Sequence, residues 1–290
     1  MLKNYVFAVI LGLTKMFVGL LTSPLSRWNL QRLVDWAADN GFRGLEVAIS
    51  PTLKQLDVDR ILSGGASTVR RLMKGKDLEI TSLAFYSLTI LGEPEDQTFF
   101  EKAIEACSAL DVKVLCSSAG GPIAGKSKRQ TLREDFPTIF NPMVDKAREH
   151  GLKIAFENWF ATNLQNLEHF ELAFEMIPDK TLGLNFDPSH LSWQQIDYLE
   201  AVHRFGNRIY HTHAKDTEIL GFKLRQVGVL DSGWWRYRIP GWGNINWRAY
   251  LTALKESNYD YVLSIEHEDP FFPPEEGFLD GKRYLEGLLI

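Results

Sequence analysis

The feature that most constrains the fold is a regular alternation of short apolar runs with longer stretches of helical periodicity. Eight runs follow one another from Met16 onward: MFVGLLT, RGLEVA, EITSLAFY, VKVLCSS, LKIAFEN, LGLNFDP, RIYHTHAK and YVLSIEH. Such alternation is typical of repeated βα units with a parallel sheet. Eight units close into a barrel of about 250 residues, which accounts for the length without a second domain. We therefore predict an α/β fold with a single (β/α)₈ TIM barrel over residues 16–290.

The segments between the runs carry helix signals. Residues 29–40 and 135–150 have the apolar spacing of amphipathic helices. Gly41, Gly151 and Gly206 follow three helical stretches and stand just before the next strand. Because glycine adopts the left-handed conformation without strain, we expect a left-handed C-cap at each of the three.

The first fifteen residues stand apart from this pattern. They contain an apolar run of about nine residues, which is too short to span a bilayer. A weak secretory signal is one interpretation, although no small-residue cleavage pattern follows. We favour an N-terminal extension over residues 1–15, with Met16 as the native start. The two cysteines, Cys107 and Cys116, are typical of reduced thiols, which favours a cytoplasmic protein. We expect no membrane partner.

Charge limits the classes of partner. The net charge is -5, and the lysines and arginines are scattered rather than grouped in a stripe. This distribution argues against nucleic acid as a partner and leaves small metabolites as the expected ligands. A homo-oligomer is also compatible with the sequence.

Strand parity then selects a group of polar residues. Alternate residues of a barrel strand point into the barrel, and barrel enzymes build their sites at the carboxyl ends of the strands. Glu157, Asp187, His213 and Glu266 fall on the inward parity at the ends of the last four predicted strands. His211 lies one inward layer lower, so we leave it outside this group.

Three buried carboxylates close together require compensation, because each isolated charge is costly to desolvate. One divalent cation held by Glu157, Asp187, His213 and Glu266 supplies it. Oxygen and imidazole ligands suit Mn²⁺ first, with Mg²⁺, Co²⁺ and Zn²⁺ as alternatives. The alternative is that each of the four is a singly paired structural residue.

Further residues are candidates for substrate contact. His190, in the string NFDPSH, is expected to contact a substrate hydroxyl or share a proton, although a structural loop histidine fits as well. Glu46, Lys215 and Asp216 are predicted to bind substrate, and Glu46 fits an internal ion pair equally well. Trp242 belongs to the aromatic segment 218–247, which covers either the substrate or a subunit interface.

The strings GFRGLEVA, IAFEN, NFDPSH, HTHAKD, GWGNINW and SIEHEDP resemble the xylose-isomerase-like barrel superfamily of sugar isomerases and epimerases. This group includes tagatose 3-epimerase and inosose dehydratase relatives. The resemblance implies metal ligands at Glu157, Asp187, His213 and Glu266. It also implies proton transfer by the two glutamates and assistance from His190. The expected function is a divalent-metal-dependent sugar isomerase or epimerase that abstracts an α-proton and forms an enediolate.

One departure from the tagatose-type pattern keeps other reactions open. Those enzymes place an arginine a few residues beyond the metal histidine, whereas this chain reads His-Ala-Lys-Asp and has Ile219 in that neighbourhood. The Lys-Asp form resembles the inosose dehydratase branch, so a dehydratase or lyase acting on a keto-polyol or keto-glycoside is the alternative. A noncatalytic carbohydrate-binding barrel is a lesser one. An endonuclease is disfavoured because it needs a basic groove.

Overall fold

The computed structural model describes residues 16–289. Eight parallel strands close into a barrel in the order β1-β10-β7-β6-β5-β4-β3-β2, which confirms the predicted (β/α)₈ fold. Each predicted strand is present within two residues of its expected bounds. The strands are β1 (Phe17–Leu21), β2 (Gly44–Ala48), β3 (Glu79–Phe85), β4 (Val114–Ser118), β5 (Lys153–Glu157), β6 (Leu182–Phe186), β7 (Ile209–Ala214), β8 (Asp216–Ile219), β9 (Trp235–Arg238) and β10 (Val262–Ile265).

Helices fill the connections. They are α1 (Leu30–Asp39), α2 (Val58–Arg60), α3 (Ala66–Met73), α4 (Pro94–Leu110), α5 (Lys128–Glu134), α6 (Phe136–Glu149), α7 (Leu167–Met176), α8 (Pro188–Ser192), α9 (Tyr198–Phe205), α10 (Gly221–Val227), α11 (Trp247–Glu256) and α12 (Pro274–Glu286). A π-helical segment (Ile61–Gly65) joins α2 to α3, and short 3₁₀ turns cover Ser23–Leu25 and Gly206–Arg208. Within the described residues no helix is both long and apolar enough to cross a membrane.

Two of the three predicted glycine caps are confirmed. Gly41 and Gly151 both have φ of 69°, the left-handed conformation expected after α1 and α6. The prediction for Gly206 is wrong, because its φ is -55° and it continues from α9 into a 3₁₀ turn. A Cβ at Gly206 would collide with the side chain of Ser257, so close packing excludes a side chain there.

The core has two layers, as strand parity predicts. Outward residues of the strands pack against the helices in one continuous apolar cluster. The barrel interior holds a smaller apolar set: Leu21, Ala48, Ala84, Val114, Cys116 and Ala155. Both cysteines are free and buried. Among the inward positions toward the carboxyl ends of the strands are the buried polar residues Glu46, Glu157 and His213.

An antiparallel hairpin of β8 and β9 follows the seventh barrel strand and was not predicted. Asp216 pairs with Arg238, and Ile219 pairs with Trp235. The buried Arg238 ties the hairpin to the loop after β10, because its Nε lies 2.6 Å from Oδ2 of Asp269. The hairpin is thereby fixed over the carboxyl end of the barrel. The predicted N-terminal extension over residues 1–15 lies outside the described residues.

Candidate active site and metal centre

Four side chains converge at the carboxyl end of the barrel. Glu157 ends β5, Asp187 follows β6, His190 lies on α8, and Glu266 follows β10. One potential ligand atom from each lies within 4.8 Å of those of the others. Strand parity correctly brings the three carboxylates together, and α8 adds the imidazole of His190.

The start of α8 explains why Asp187 and His190 meet. Asp187 is the N-cap of this helix, and its Oδ1 accepts a hydrogen bond from the Ser189 backbone N–H at 2.8 Å. One helical turn then brings His190 Nε2 to 3.4 Å from Asp187 Oδ2. Asn158 fixes this corner, because its side chain accepts from the N–H of Asp187 and donates to its carbonyl. The sequence reasoning missed Asn158, although it directly follows Glu157.

His213 lies beneath the glutamates. Its Nδ1 is 3.1 Å from Oε1 of Glu157 and 2.9 Å from Oε2 of Glu266. Its Nε2 faces Glu46 Oε2 at 3.1 Å, on the side away from the two glutamates. A carboxylate that holds one ring nitrogen while the other faces a metal site is a common arrangement around metal-binding histidines.

Glu46 is therefore placed below the cavity. It is fully buried and accepts hydrogen bonds from Tyr86 at 2.7 Å and Ser264 at 2.8 Å. Burial opposes its charge, but His213 and His211 hold its pKa down, at about 2. This placement fits the internal ion pair that the sequence left open, and it gives Glu46 no surface toward a substrate.

His211 occupies the layer below His213. Its ring contacts Thr81 and Asn185, and burial lowers its pKa to about 4. With Glu46 and Cys116 it forms a second buried group of potential ligand atoms within 4.8 Å. The ring nitrogens of His211 face Thr81 and Asn185, and His211 is not part of the cluster of Glu157, Asp187, His190 and Glu266.

Lys215 brings a positive charge into the cluster. Its Nζ lies 2.7 Å from Oε2 of Glu266, 2.9 Å from Oε2 of Glu268 and 3.2 Å from Oδ2 of Asp187. Burial opposes the charge, yet these three carboxylates hold the Lys215 pKa well above its usual value. Sequence reasoning missed Glu268, although it has the same parity as Glu266 two residues further on.

Both expected proton-transfer glutamates are ionised by their neighbours. Burial opposes the charge of Glu157, but hydrogen bonds from His190 and His213 hold its pKa well below the usual range. Burial also opposes the charge of Glu266, whose pKa is lowered by Lys215 and then by His213. Both carboxylates are thus available as proton acceptors.

A cavity of about 670 Å³ opens above this cluster. One wall is aromatic and is formed by Trp159, Phe160, Trp235 and Tyr237. Tyr237 Oη lies 2.7 Å from His190 Nδ1, which links the hairpin to the polar floor. The full lining is Leu21, Ser23, Pro24, Tyr86, Glu157, Trp159, Phe160, His190, Lys215, Trp235, Tyr237, Glu266, His267 and Glu268.

Like Glu46, two further predicted substrate contacts, Asp216 and Trp242, are not brought to the cavity. Asp216 is fully buried behind the hairpin, where it accepts hydrogen bonds from three backbone N–H groups and from the indole of Trp247. Trp242 is half exposed, and its indole donates to Asp280 at 2.7 Å. The aromatic segment divides accordingly, since Trp235 and Tyr237 face the cavity while Trp242 does not.

The donor set fits a divalent cation. Oδ2 of Asp187 is buried and accepts no hydrogen bond, although it faces the other carboxylates. Carboxylate oxygens with one or two imidazoles suit Mn²⁺, Mg²⁺, Co²⁺ or Zn²⁺. Glu157, Asp187 and Glu266 are common to the predicted ligand set and to the observed cluster. The imidazole is contributed by His213 in the prediction and by His190 in the cluster.

Comparison with known proteins agrees with this architecture. The chain is 24% identical to inosose dehydratase of Clostridium perfringens, over 89% of this chain and 94% of the relative. The zinc-bound IolI crystal structure superposes with a TM-score of 0.74 at 20% identity, covering 94% of this chain and 98% of IolI. The 3-keto-D-glucoside 4-epimerase YcjR of E. coli superposes with a TM-score of 0.69 at 16% identity, covering 94% of this chain and 99% of YcjR.

At these identities the two structures establish the fold alone. The family model described as a xylose isomerase-like TIM barrel matches residues 34–288, which is most of the chain. This match agrees with the resemblance carried by the sequence motifs. The chain therefore belongs to the xylose isomerase-like TIM barrel family.

Proposed function

We propose that this chain is a divalent-metal-dependent sugar isomerase or epimerase that removes the proton beside the carbonyl of a sugar or polyol ketone. The observation that carries the proposal is the convergence of Glu157, Asp187 and Glu266 with the imidazoles of His190 and His213 at the cavity floor. Carboxylates gathered in this way at the top of a barrel are typical of catalytic centres.

Glu157, Asp187, Glu266 and His213 would hold the metal, with His190 adjacent to it. A divalent cation there would polarise the substrate carbonyl and stabilise the enediolate that forms when the α-proton leaves. Mn²⁺ is our first expectation, and the zinc in IolI makes Zn²⁺ the next metal to test.

The chain's own residues provide the proton transfer. Glu157 and Glu266 both contact His213 Nδ1, at 3.1 and 2.9 Å, and both line the cavity. In our proposal one carboxylate accepts the α-proton, and the other first takes a proton from the solvent that enters the cavity and then delivers it to the opposite face of the same carbon, which inverts its configuration. His190 directs Nε2 toward Glu157 at 3.2 Å and lines the cavity, where we expect it to contact a substrate hydroxyl.

The aromatic wall supports a sugar or polyol as substrate. The apolar C–H faces of such molecules pack on aromatic rings, and their hydroxyls need polar partners. Trp235 presents its ring to the cavity and is held there by stacking on Trp193, with centroids 4.4 Å apart. The floor below the wall supplies the polar partners.

A second candidate is dehydration of a keto-polyol, and Lys215 favours it. Its Nζ lies 2.7 Å from Glu266 and lines the same cavity, so a proton donor lies beside a proton acceptor. Elimination begins with the same α-proton abstraction and then needs a proton for the departing hydroxyl. The similarity to an inosose dehydratase supports this alternative.

One experiment tests both candidates. The protein is stripped with a chelator, reloaded with Mn²⁺, Mg²⁺, Co²⁺ or Zn²⁺, and incubated in D₂O with ketohexoses, inososes and 3-keto-glycosides. Proton NMR then follows loss of the α-proton signal and the product formed. We expect metal-dependent exchange in one class of ketone, with an epimer as the product of the first candidate and a dehydrated enone as that of the second.

Variants identify the groups responsible. Glu157→Gln and Glu266→Gln should lower exchange by about 10²–10⁴-fold, since each removes a proton acceptor. Glu276→Gln, at an exposed position in the first turn of α12, is the matched control and should exchange at the wild-type rate. Absence of exchange with every metal and every ketone would refute the proposed function and leave a noncatalytic sugar-binding barrel.

A further inference from the structure

The fixed charges around the cavity are strongly unbalanced. Glu157, Glu266 and Glu268 line it, and Asp187 lies directly beneath, in contact with Lys215. Among the described residues that line the cavity, Lys215 is the sole lysine or arginine. Four carboxylates therefore face one ammonium group.

The ammonium of Lys215 is enclosed by these carboxylates. Its Nζ donates to Oε2 of Glu266 at 2.7 Å and to Oε2 of Glu268 at 2.9 Å, and it lies 3.2 Å from Oδ2 of Asp187. Its side chain is 1% exposed, so little of the ammonium group is open to a ligand. A ligand anion would have to displace Glu266, Glu268 or Asp187 to reach Lys215.

Two further polar groups near the floor are also engaged within the protein. His190 directs Nε2 to Glu157 and receives Tyr237 at Nδ1. The Ser189 N–H, at the start of α8, is capped by Asp187. Below them Glu46 is paired with His213 Nε2, so this pair offers no free cation to a ligand.

A divalent cation does not reverse the imbalance. The four carboxylates and Lys215 leave an excess of three negative charges, and a doubly charged ion at the floor would still leave one. Glu268 contributes at the mouth, where its side chain is 47% exposed and where an incoming ligand must pass. An anionic group on the substrate would meet like charge without a free cationic partner.

We propose that the cavity selects an uncharged polyhydroxylated ketone and discriminates against phosphorylated or carboxylated ones, with Glu268 as a determinant of this selectivity. This inference rests on the proposed function and names the substrate class of the same site. The aromatic wall of Trp159, Phe160, Trp235 and Tyr237 fits the same class, because uncharged rings present apolar C–H faces to it.

The test uses ligands matched except in charge. The metal-loaded protein is titrated with D-fructose and D-fructose 6-phosphate, and with 3-dehydroshikimate methyl ester and 3-dehydroshikimate; an inosose serves as a further uncharged probe. Isothermal titration calorimetry measures binding, and D₂O exchange measures turnover. We expect the uncharged member of each pair to bind at least about tenfold more tightly, since like charges across a binding site oppose association.

Two variants test the assigned cause. Glu268→Gln removes one negative charge at the mouth of the cavity. It should reduce the difference in Kd between the charged and the uncharged member of each pair. For two unit charges about 8 Å apart, with an effective dielectric constant between about 80 and 20, the affinity for the anionic member should rise about twofold to thirtyfold. Glu276→Gln changes the net charge by the same amount at a position outside the cavity, so it should leave the difference in Kd within each pair unchanged.

The outcomes separate this inference from the function on which it rests. Tighter binding of the anionic member in either pair, with exchange observed, would overturn the substrate class while the function stands. If the difference in Kd within each pair is the same in Glu268→Gln as in the wild type, the role of Glu268 is overturned. If no probe binds or exchanges with any metal, the proposed function fails and the inference falls with it.

Discussion

Replacement of Lys215 by methionine separates the two cations that can balance the carboxylate cluster, the protein's own ammonium and an added metal. Methionine keeps much of the length of the lysine side chain but carries no charge. In the metal-free protein, Lys215 contacts Glu266, Glu268 and Asp187 within 3.2 Å. Without the Lys215 ammonium, these buried carboxylates repel one another. A divalent cation bound among them would again balance their negative charge.

The size of the effect follows from burial. Removal of one partner from a buried ion pair costs about 3–5 kcal/mol, because the remaining charge stays buried without compensation. For a domain of this size each kcal/mol lowers the melting temperature by about 2–4 °C. We therefore expect metal-free Lys215→Met to melt at least about 6 °C below the metal-free wild type. The exposed pair of Lys113 and Asp111 supplies a control, because Lys113→Met should cost less than about 1 kcal/mol.

Differential scanning fluorimetry with and without a titrated metal measures both parts of this prediction. Mn²⁺ should raise the melting temperature of Lys215→Met more than that of the wild type, since a cation that binds only the folded state stabilises it by mass action. Metal titration calorimetry should also give a lower Kd for the variant, because no ammonium competes for the carboxylates. A metal-free variant as stable as the wild type, with unchanged metal affinity, would refute the electrostatic role of Lys215.

Three further predictions concern other parts of the site. Tyr237→Phe removes the 2.7 Å hydrogen bond to His190 and keeps the ring, so kcat/KM for exchange should fall about tenfold, by about 1.4 kcal/mol; unchanged kinetics would contradict a positioning role. Asp216→Asn replaces an acceptor by a donor among four hydrogen bonds, so urea unfolding should show a loss of about 1–3 kcal/mol, whereas no loss would contradict its role in the hairpin. Burial raises the pKa of Cys107 to about 12, so its thiol stays protonated below that pH; it should resist a disulfide reagent at pH 8 in the folded protein and react after unfolding.

The barrel could be predicted from sequence because each strand leaves a local signal. A run such as LKIAFEN alternates between residues that pack on the helices and residues that point inward, and β5 follows that parity to its last residue, Glu157. The same parity places Glu266 beside it from a strand more than a hundred residues later. Extending the parity two residues past Glu266 would also have found Glu268.

Height within the barrel could not be predicted, because it depends on strand stagger. Glu46 has inward parity like Glu157, but it lies opposite Leu21 and Ser82 in the register and ends beneath His213. The β8–β9 hairpin was missed for another reason. Its pairing of Asp216 with Arg238 joins residues across an aromatic segment that has no strand-like alternation.

The two candidate reactions differ in where a proton goes after the first step. Epimerisation breaks one C–H bond and re-forms it on the opposite face, so it needs a second group that can protonate the same carbon. Dehydration breaks the C–H bond and then a neighbouring C–O bond, so the proton must reach the departing hydroxyl oxygen. Lys215 is held against Glu266 and Glu268 rather than against Glu157, so any proton it shares enters on the Glu266 side of the cavity. A charge-preserving Lys215→Arg variant that retains α-proton exchange but loses enone formation would therefore assign elimination to this side, whereas equal loss of both activities would place Lys215 in the shared first step.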